Sequence, residues 1–250
     1  MKHRHLLAAA CVLAAAGTAA QAQQASEPPS FLASLSSPTP STPWTVRGGV
    51  SHIVPHSRAT DATGPLLPPN PSGVSLRVED KTTAFFSIAR AITPNTEVEL
   101  ALGYPPTHDV TARIASYLPA NVQGYNGQTI AKVRQMAPTL FVNYAFGEPT
   151  SRLRPFVGLG VNYTKFDKRT STAAGNGLNG GPTRIELEDS WGLAAQAGLD
   201  YKINERWSIH GSLATARVKT HLVATTAGQA RELDIKFRPV VFTLAAAYRF

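Results

Sequence analysis

From Trp44 to Phe250 the bulky apolar residues recur on every second position rather than every third or fourth, which is the period of an extended strand. In the last such stretch Val240, Phe242, Leu244, Ala246, Tyr248 and Phe250 share one face, and Val241, Thr243, Ala245, Ala247 and Arg249 share the other. Eight alternating segments follow this rule, at about 44–54, 76–92, 96–104, 130–146, 154–167, 186–201, 206–220 and 232–250. Their connections alternate in length. Those at Thr93-Pro94-Asn95, Gly147 to Ser151 and Lys202 to Glu205 are tight turns. Those over 55–75, 105–129, 168–185 and 221–231 are long, and Gly175-Asn176-Gly177 and Gly180-Gly181 give the third of these the composition of a mobile loop.

Short turns at one end and long loops at the other are how an outer-membrane barrel is built, with the short end periplasmic. A soluble sandwich has no need of that asymmetry. The expected fold is all-β, an eight-stranded antiparallel transmembrane β-barrel, and an even strand number places both termini in the periplasm. A closing strand that ends on an outward Phe250 fits the assembly signal read by the barrel-assembly machinery. No segment reaches the roughly 18 uninterrupted apolar residues of a membrane helix.

The beginning of the chain agrees. Lys2 and Arg4 precede an apolar run from Leu6 to Ala16, and Ala20-Gln21-Ala22 is a small-residue cleavage site, so residues 1–22 read as a signal peptide. Residues 23–43, rich in Ser, Pro and Gln, read as a flexible periplasmic leader, and 44–250 as the barrel. Charged residues make up 16% of the chain, against about 25% in soluble domains. The formal net charge is +8. In a secreted chain that favours an anionic membrane surface over nucleic acid. The single cysteine, Cys11, lies inside the signal, which leaves no disulfide framework, thiolate metal site or catalytic thiol.

Parity divides the strands into faces. Leu140, Val142, Tyr144 and Phe146, then Val157, Leu159 and Val161, then Leu193 and Leu199, point outward. Tyr144, Tyr201, Trp207 and Tyr248 fall at the periplasmic strand ends, where an aromatic girdle belongs. Ala101, Phe141, Phe156, Gly158, Gly160, Ala214 and Ala216 point inward. An eight-stranded barrel has room inside for side chains or one slender ligand, so these small groups predict a lumen with space, less polar than a porin's. Arg47, Glu99, Asp200 and Arg249 point inward near the periplasmic ends, and buried charges persist when paired; they predict a polar plug. Lys132, Arg134, Lys165, Arg217, Lys219, Lys236 and Arg238 point outward beside the long loops and predict a basic collar, either facing lipopolysaccharide phosphates or snorkelling to the interface with no specific lipid.

Several motifs, in order, resemble the OmpW family of outer-membrane proteins. They are Trp44-Thr45-Val46-Arg47-Gly48-Gly49-Val50, Val98-Glu99-Leu100 followed by Pro105 and His108-Asp109, and Ala137-Pro138-Thr139-Leu140. Arg154 to Thr164, Asp189 to Tyr201 and the closing Tyr248-Arg249-Phe250 complete the set. The resemblance covers nearly all of the mature chain and implies an apolar lumen associated with passage of small hydrophobic compounds. Where relatives often carry bulky apolar groups on the third and seventh strands, this chain has Ala101 and Ala214. The alternative role is a structural or surface-receptor barrel acting through its long loops.

Enzyme chemistry finds little support. His210 and Ser212 lie two apart on an inward face, but nucleophilic catalysis needs an orienting acid and access to substrate, and none is evident. His108-Asp109 offers too few ligands for a metal and reads as a hydrogen-bonded turn. No cofactor or metal is expected.

Overall fold

The computed structural model describes residues 43–59 and 73–250. In chain order it holds β1 (Trp44–Val54), β2 (Ser57–Ala59), β3 (Val74–Val78), β4 (Lys81–Ala91), β5 (Thr96–Gly103), β6 (Thr107–Ile114) and a short α1 (Ala120–Gln123). There follow β7 (Thr129–Met136), β8 (Thr139–Ala145), β9 (Leu153–Ser171), α2 (Ala173–Asn179), β10 (Thr183–Leu187), β11 (Ser190–Lys202) and β12 (Trp207–Ala216). The chain ends with β13 (Val218–Thr226), β14 (Gln229–Phe237) and β15 (Val240–Arg249). The expected signal peptide and nearly all of the leader lie outside the described residues.

Eight of these strands, in the order β11-β12-β15-β1-β4-β5-β8-β9, form an antiparallel barrel that closes by pairing β9 with β11. Closure satisfies every ladder donor and acceptor within the wall and leaves no edge exposed to lipid. The first and last strands lie side by side, with Thr45 opposite Arg249 and Val54 opposite Val240. Trp44 and Phe250 exchange two N–H···O bonds of 2.9 Å. Both strand ends therefore sit on the rim that carries the three tight turns.

Exposure is inverted relative to a soluble domain. Leu159 is 74% exposed, Trp191 73% and Leu193 67%, while inward Glu99, Asn143 and His210 are each 1% exposed. Along the barrel strands inward Phe141 and Phe156 are buried, and outward Leu140, Val142, Val157 and Val161 are exposed. The outward band is apolar because its surroundings are hydrocarbon.

Five of the eight segments are broken in two. What reads as 76–92 is β3 and β4 separated by Glu79-Asp80, and 130–146 is β7 and β8 separated by Ala137-Pro138. Arg217 separates β12 from β13, and Arg238-Pro239 separates β14 from β15. Glu188-Asp189 interrupts the remaining one between β10 and β11. With Pro55 after β1 and Pro105-Pro106 after β5, these breaks sit at one level. Proline has no N–H to donate to a ladder and its φ is fixed, so a strand bends or stops there. Only β9, at 19 residues, runs unbroken through that level.

Above it the described parts of the long connections are built into strands and short helices, including residues 175–179, whose composition is that of a mobile loop. They form one sheet in the order β3-β6-β7-β9 and another in the order β10-β13-β14-β2. Gly175-Asn176-Gly177 lies in α2, whose Thr172 side chain caps Gly175 N–H at 3.1 Å. Residues 221–231 form a tight hairpin whose turn residues Ala227 and Gly228 both have positive φ, 49° and 78°, as a two-residue hairpin turn requires. Between the two sheets Phe166, Leu187, Val218 and Ile235 form a buried apolar core, with Val133, Ala216, Leu222, Leu233 and Phe237 packed around it.

Candidate functional site in the barrel lumen

The lumen is layered. At the short-turn rim a cavity of about 100 Å³ is lined by Thr45, Glu97, Arg154, Asp200, Lys202 and Arg249, among others. Immediately inside, Arg47 on β1 reaches across to β5, where its guanidinium stands 2.7 Å from Glu97 and 3.1 Å from Glu99. Asn143 on β8 donates to Glu99 at 2.8 Å and to Glu97 at 3.0 Å. Gln196 on β11 donates to Glu99 at 3.0 Å and to the Asn143 carbonyl oxygen at 2.7 Å. One buried carboxylate is thus held by side chains from three other strands. Charge removed from water inside a barrel requires such partners.

The four charged residues expected to share a plug are distributed differently. Arg47 and Glu99 pair as expected. Asp200 pairs with His210 at 2.8 Å, and Arg249 lines the rim cavity with no carboxylate within ion-pair distance among the described residues. Glu97, Asn143, Gln196 and His210 are members that the charge search missed. Glu97 lies two residues before Glu99 on the same face, so the same parity could have found it.

The Asp200–His210 contact also corrects the expectation that no acid stands near His210. Register explains it, since Asp200 is directly opposite His210 across the β11–β12 ladder. The imidazole is covered on its face by Phe156, with ring centroids 5.2 Å apart. Ser212 makes no hydrogen bond to His210 among the described residues, so the arrangement is an oriented, buried imidazole without a nucleophile in line.

The inward glycines do not hollow out the lower lumen. A Cβ at Gly158 would overlap Asn143 Oδ1 and lie 3.0 Å from Gln196 Cγ. At Gly160 it would lie 2.7 Å from Phe141 Cδ1, and at Gly198 2.5 Å from Phe156 Cζ. These positions are small because opposite side chains, and at Gly160 and Gly198 also the backbone carbonyls of Leu140 and Gly211, occupy their space. Around them Asn162 donates to Thr139 at 2.8 Å, and Ser51 and Thr243 share a hydrogen bond of 2.8 Å. The lower lumen is consequently packed and polar rather than apolar.

Higher up the lining changes. Ile53, Ala101, Ala214 and Val241 face inward and are half-buried, with Phe85 beside them, and Ala216 lies against the apolar core between the two upper sheets. The lumen wall there is apolar.

Outside, the expected collar divides. Lys132 stands 3.5 Å from Asp109, which also receives a hydrogen bond of 2.7 Å from Lys81, and Arg134 forms a two-point pair with Asp167. The Lys81 hydrogen bond holds the Asp109 carboxyl below its ordinary range, and the Arg134 hydrogen bond does the same for Asp167. His108 and Asp109 lie in strand β6 rather than a turn; His108 Nδ1 is 3.0 Å from the Glu79 carbonyl oxygen. Lys165, Arg217, Lys219, Lys236 and Arg238 are exposed and have no carboxylate within ion-pair distance among the described residues.

The OmpW family model matches residues 43–250. The chain belongs to the OmpW family. Outer membrane protein W of Vibrio cholerae is 34% identical over 167 residues, covering 64% of this chain and 76% of that protein. A dibenzothiophene metabolism operon protein, PahQ of Pseudomonas aeruginosa, is 25% identical over 86% of this chain and 93% of its own length. In fold, this OmpW-family barrel is similar to the crystal structure of OprG from Pseudomonas aeruginosa, with a TM-score of 0.72 over 84% of this chain and 96% of that one, at 23% identity. The protein is an outer-membrane β-barrel of a Gram-negative bacterium.

Proposed function

We propose that this barrel takes up small hydrophobic compounds from the cell exterior through its upper half. The observation that carries this reading is the apolar core of Phe166, Leu187, Val218 and Ile235, which meets the barrel mouth at Ala216. An apolar solute gains about 25 cal/mol for each Å² it removes from water, and this core with half-buried Ile53, Ala214 and Val241 is the apolar surface at the barrel mouth. Below it, the Arg47–Glu97–Glu99 layer offers such a solute nothing. The relative from a dibenzothiophene metabolism operon supports fused aromatic compounds as the chemical class. In this reading the tight-turn rim is periplasmic, both termini lie there, and Phe250 serves the assembly machinery. The upper rim then meets lipopolysaccharide.

The test is uptake of a fluorescent polycyclic aromatic into liposomes containing the refolded protein, beside ion conductance. Aromatic flux above protein-free liposomes, with little conductance, is expected. Ala214→Trp, which fills the upper lumen, should lower that flux severalfold without unfolding the barrel. Flux unchanged in a folded Ala214→Trp protein removes the lumen from the mechanism.

A further inference from the structure

Arg217, Lys219, Lys236 and Arg238 form a single outward patch where β12 passes into β13 and β14 into β15. Lys219 and Lys236 are direct cross-strand partners. Val218 faces Phe237 in the same ladder, so Arg217 and Arg238 stand one step lower, facing each other. Exposure alternates through both stretches, with Arg217, Lys219, Lys236 and Arg238 exposed while Val218 and Ile235 are buried. Directly opposed residues have Cβ atoms about 4.5–5.5 Å apart, and like charges there repel. Among the described residues no carboxylate lies within ion-pair distance of them; the acids of the same hairpin, Asp234 and Glu232, lie 2.9 Å and 3.7 Å from His221. Two repelling cation pairs, uncompensated within the described residues, call for an external anion.

Their height identifies it. The same outward columns continue downward to Thr215 opposite Val240, then to Leu213 opposite Phe242, which are in the lipid-facing band. Arg217 and Arg238 lie two residues, about 7 Å, further along their strands than the Thr215–Val240 pair, which at a strand tilt of about 35–45° sets them about 5 Å higher. A headgroup layer is about 5–8 Å deep on each side of the hydrocarbon. Cations at that height, above acyl chains packed on Leu213 and Phe242, meet headgroup phosphate. Trp191, on the neighbouring strand β11, stands exposed beside them, in ring contact with Tyr163 at 4.7 Å.

We propose that this patch is a binding site for the phosphorylated disaccharide headgroup of lipid A, the arginines taking phosphate oxygens through paired N–H donors and the lysines adding charge. It rests on the orientation given above, with the upper rim on the outer leaflet. It does not depend on what passes through the lumen.

The test uses the full-length mature protein in neutral detergent, titrated with bisphosphorylated lipid A, with dephosphorylated lipid A and with inorganic polyphosphate, binding being read by native mass spectrometry. The wild type should bind the bisphosphorylated lipid at least tenfold more tightly than the dephosphorylated one, and rising salt should erase the difference. Lys219→Gln with Lys236→Gln should remove most of that preference, and the fourfold Gln variant all of it, each confirmed as folded by heat-modifiable gel mobility. Lys132→Gln with Arg134→Gln should keep it. Wild-type binding by the folded double variant, or equal loss in the Lys132 and Arg134 control, overturns the site. Tight binding of polyphosphate makes it a free-anion site and overturns the lipid assignment. Aromatic flux measured on the same variants separates this outcome from failure of the uptake reading.

Discussion

Asp200 and His210 face each other across the β11–β12 ladder, with Asp200 Oδ1 2.8 Å from His210 Nδ1. The imidazole is sealed from above by Phe156, so the carboxylate orients a ring that water hardly reaches. Asp200→Ala leaves a buried imidazole nitrogen unpaired, a loss of about 1–3 kcal/mol. His210→Phe with Asp200→Ala removes both partners and should cost less than Asp200→Ala alone. Urea unfolding in lipid vesicles, followed by tryptophan fluorescence, measures both; a double variant less stable than the single would mean that the pair is not a unit.

Glu99 is the hub of the polar layer. Stranding one partner of a buried pair typically costs about 3–5 kcal/mol, but Arg47 also holds Glu97 at 2.7 Å. Glu99→Gln should therefore fall at or below the lower end of that range. Glu97→Gln with Glu99→Gln should exceed the sum of the single effects, because only then is Arg47 left with no carboxylate partner. Additive losses in the same unfolding assay would show that water reaches Arg47.

The outward face can be tested independently of any transport. Leu159 is 74% exposed in mid-strand. Leu159→Arg should cost about 2–4 kcal/mol in a bilayer and little in a detergent micelle, whose headgroups can deform around the charge. Equal stability in both media would show that this face does not meet hydrocarbon.

The two upper sheets should answer acid in opposite ways. Burial, then the nearby Lys81 charge, pushes His108 below its ordinary pKa. The unfolded chain then binds the proton more readily, so this contribution to stability is intact above about pH 6.5 and falls as pH drops through that value. His221 is pushed up, first by its hydrogen bond to Asp234. Its contribution is present below about pH 6.5 and is lost as pH rises through the folded value. Amide exchange between pH 7.5 and 5.5 should show Thr107–Ile114 losing protection while the β13–β14 hairpin holds or gains it. His108→Leu should abolish the first response; an unchanged response would place its origin elsewhere.

Parity alone assigned the faces of Leu159, Phe156, Arg47 and Glu99, because side-chain alternation is a property of one extended strand. Partnership is not. Asp200 and His210 were both legible as inward, yet their contact depends on how β11 and β12 slide past each other, which the turn sets and a period-two pattern does not record. The small residues misled for the same reason. Gly158 reads as empty space until Asn143 and Gln196 are placed across from it. The level of breaks was written in Pro55, Pro105-Pro106, Pro138 and Pro239, but apolar alternation resumes in phase on the far side of Pro138 and Pro239, so each pair of strands reads as one.

No backbone ladder joins β9 to β10, or β2 to β3, among the described residues. The first of these seams is held by side chains, with Arg169 donating to the Leu187 carbonyl at 2.8 Å and Asp189 accepting from Phe166 N–H at 3.3 Å. Parting the lower ring anywhere means breaking a whole ladder in a medium with no water to replace it, whereas the seam between the upper sheets is closed by these few polar contacts and by the apolar core of Phe166, Leu187, Val218 and Ile235. The molecule thus has two mechanical grades joined by one continuous strand: a hoop closed by ladders all round, and above it two plates that meet beside β9 without a ladder, held by side-chain contacts and packing alone.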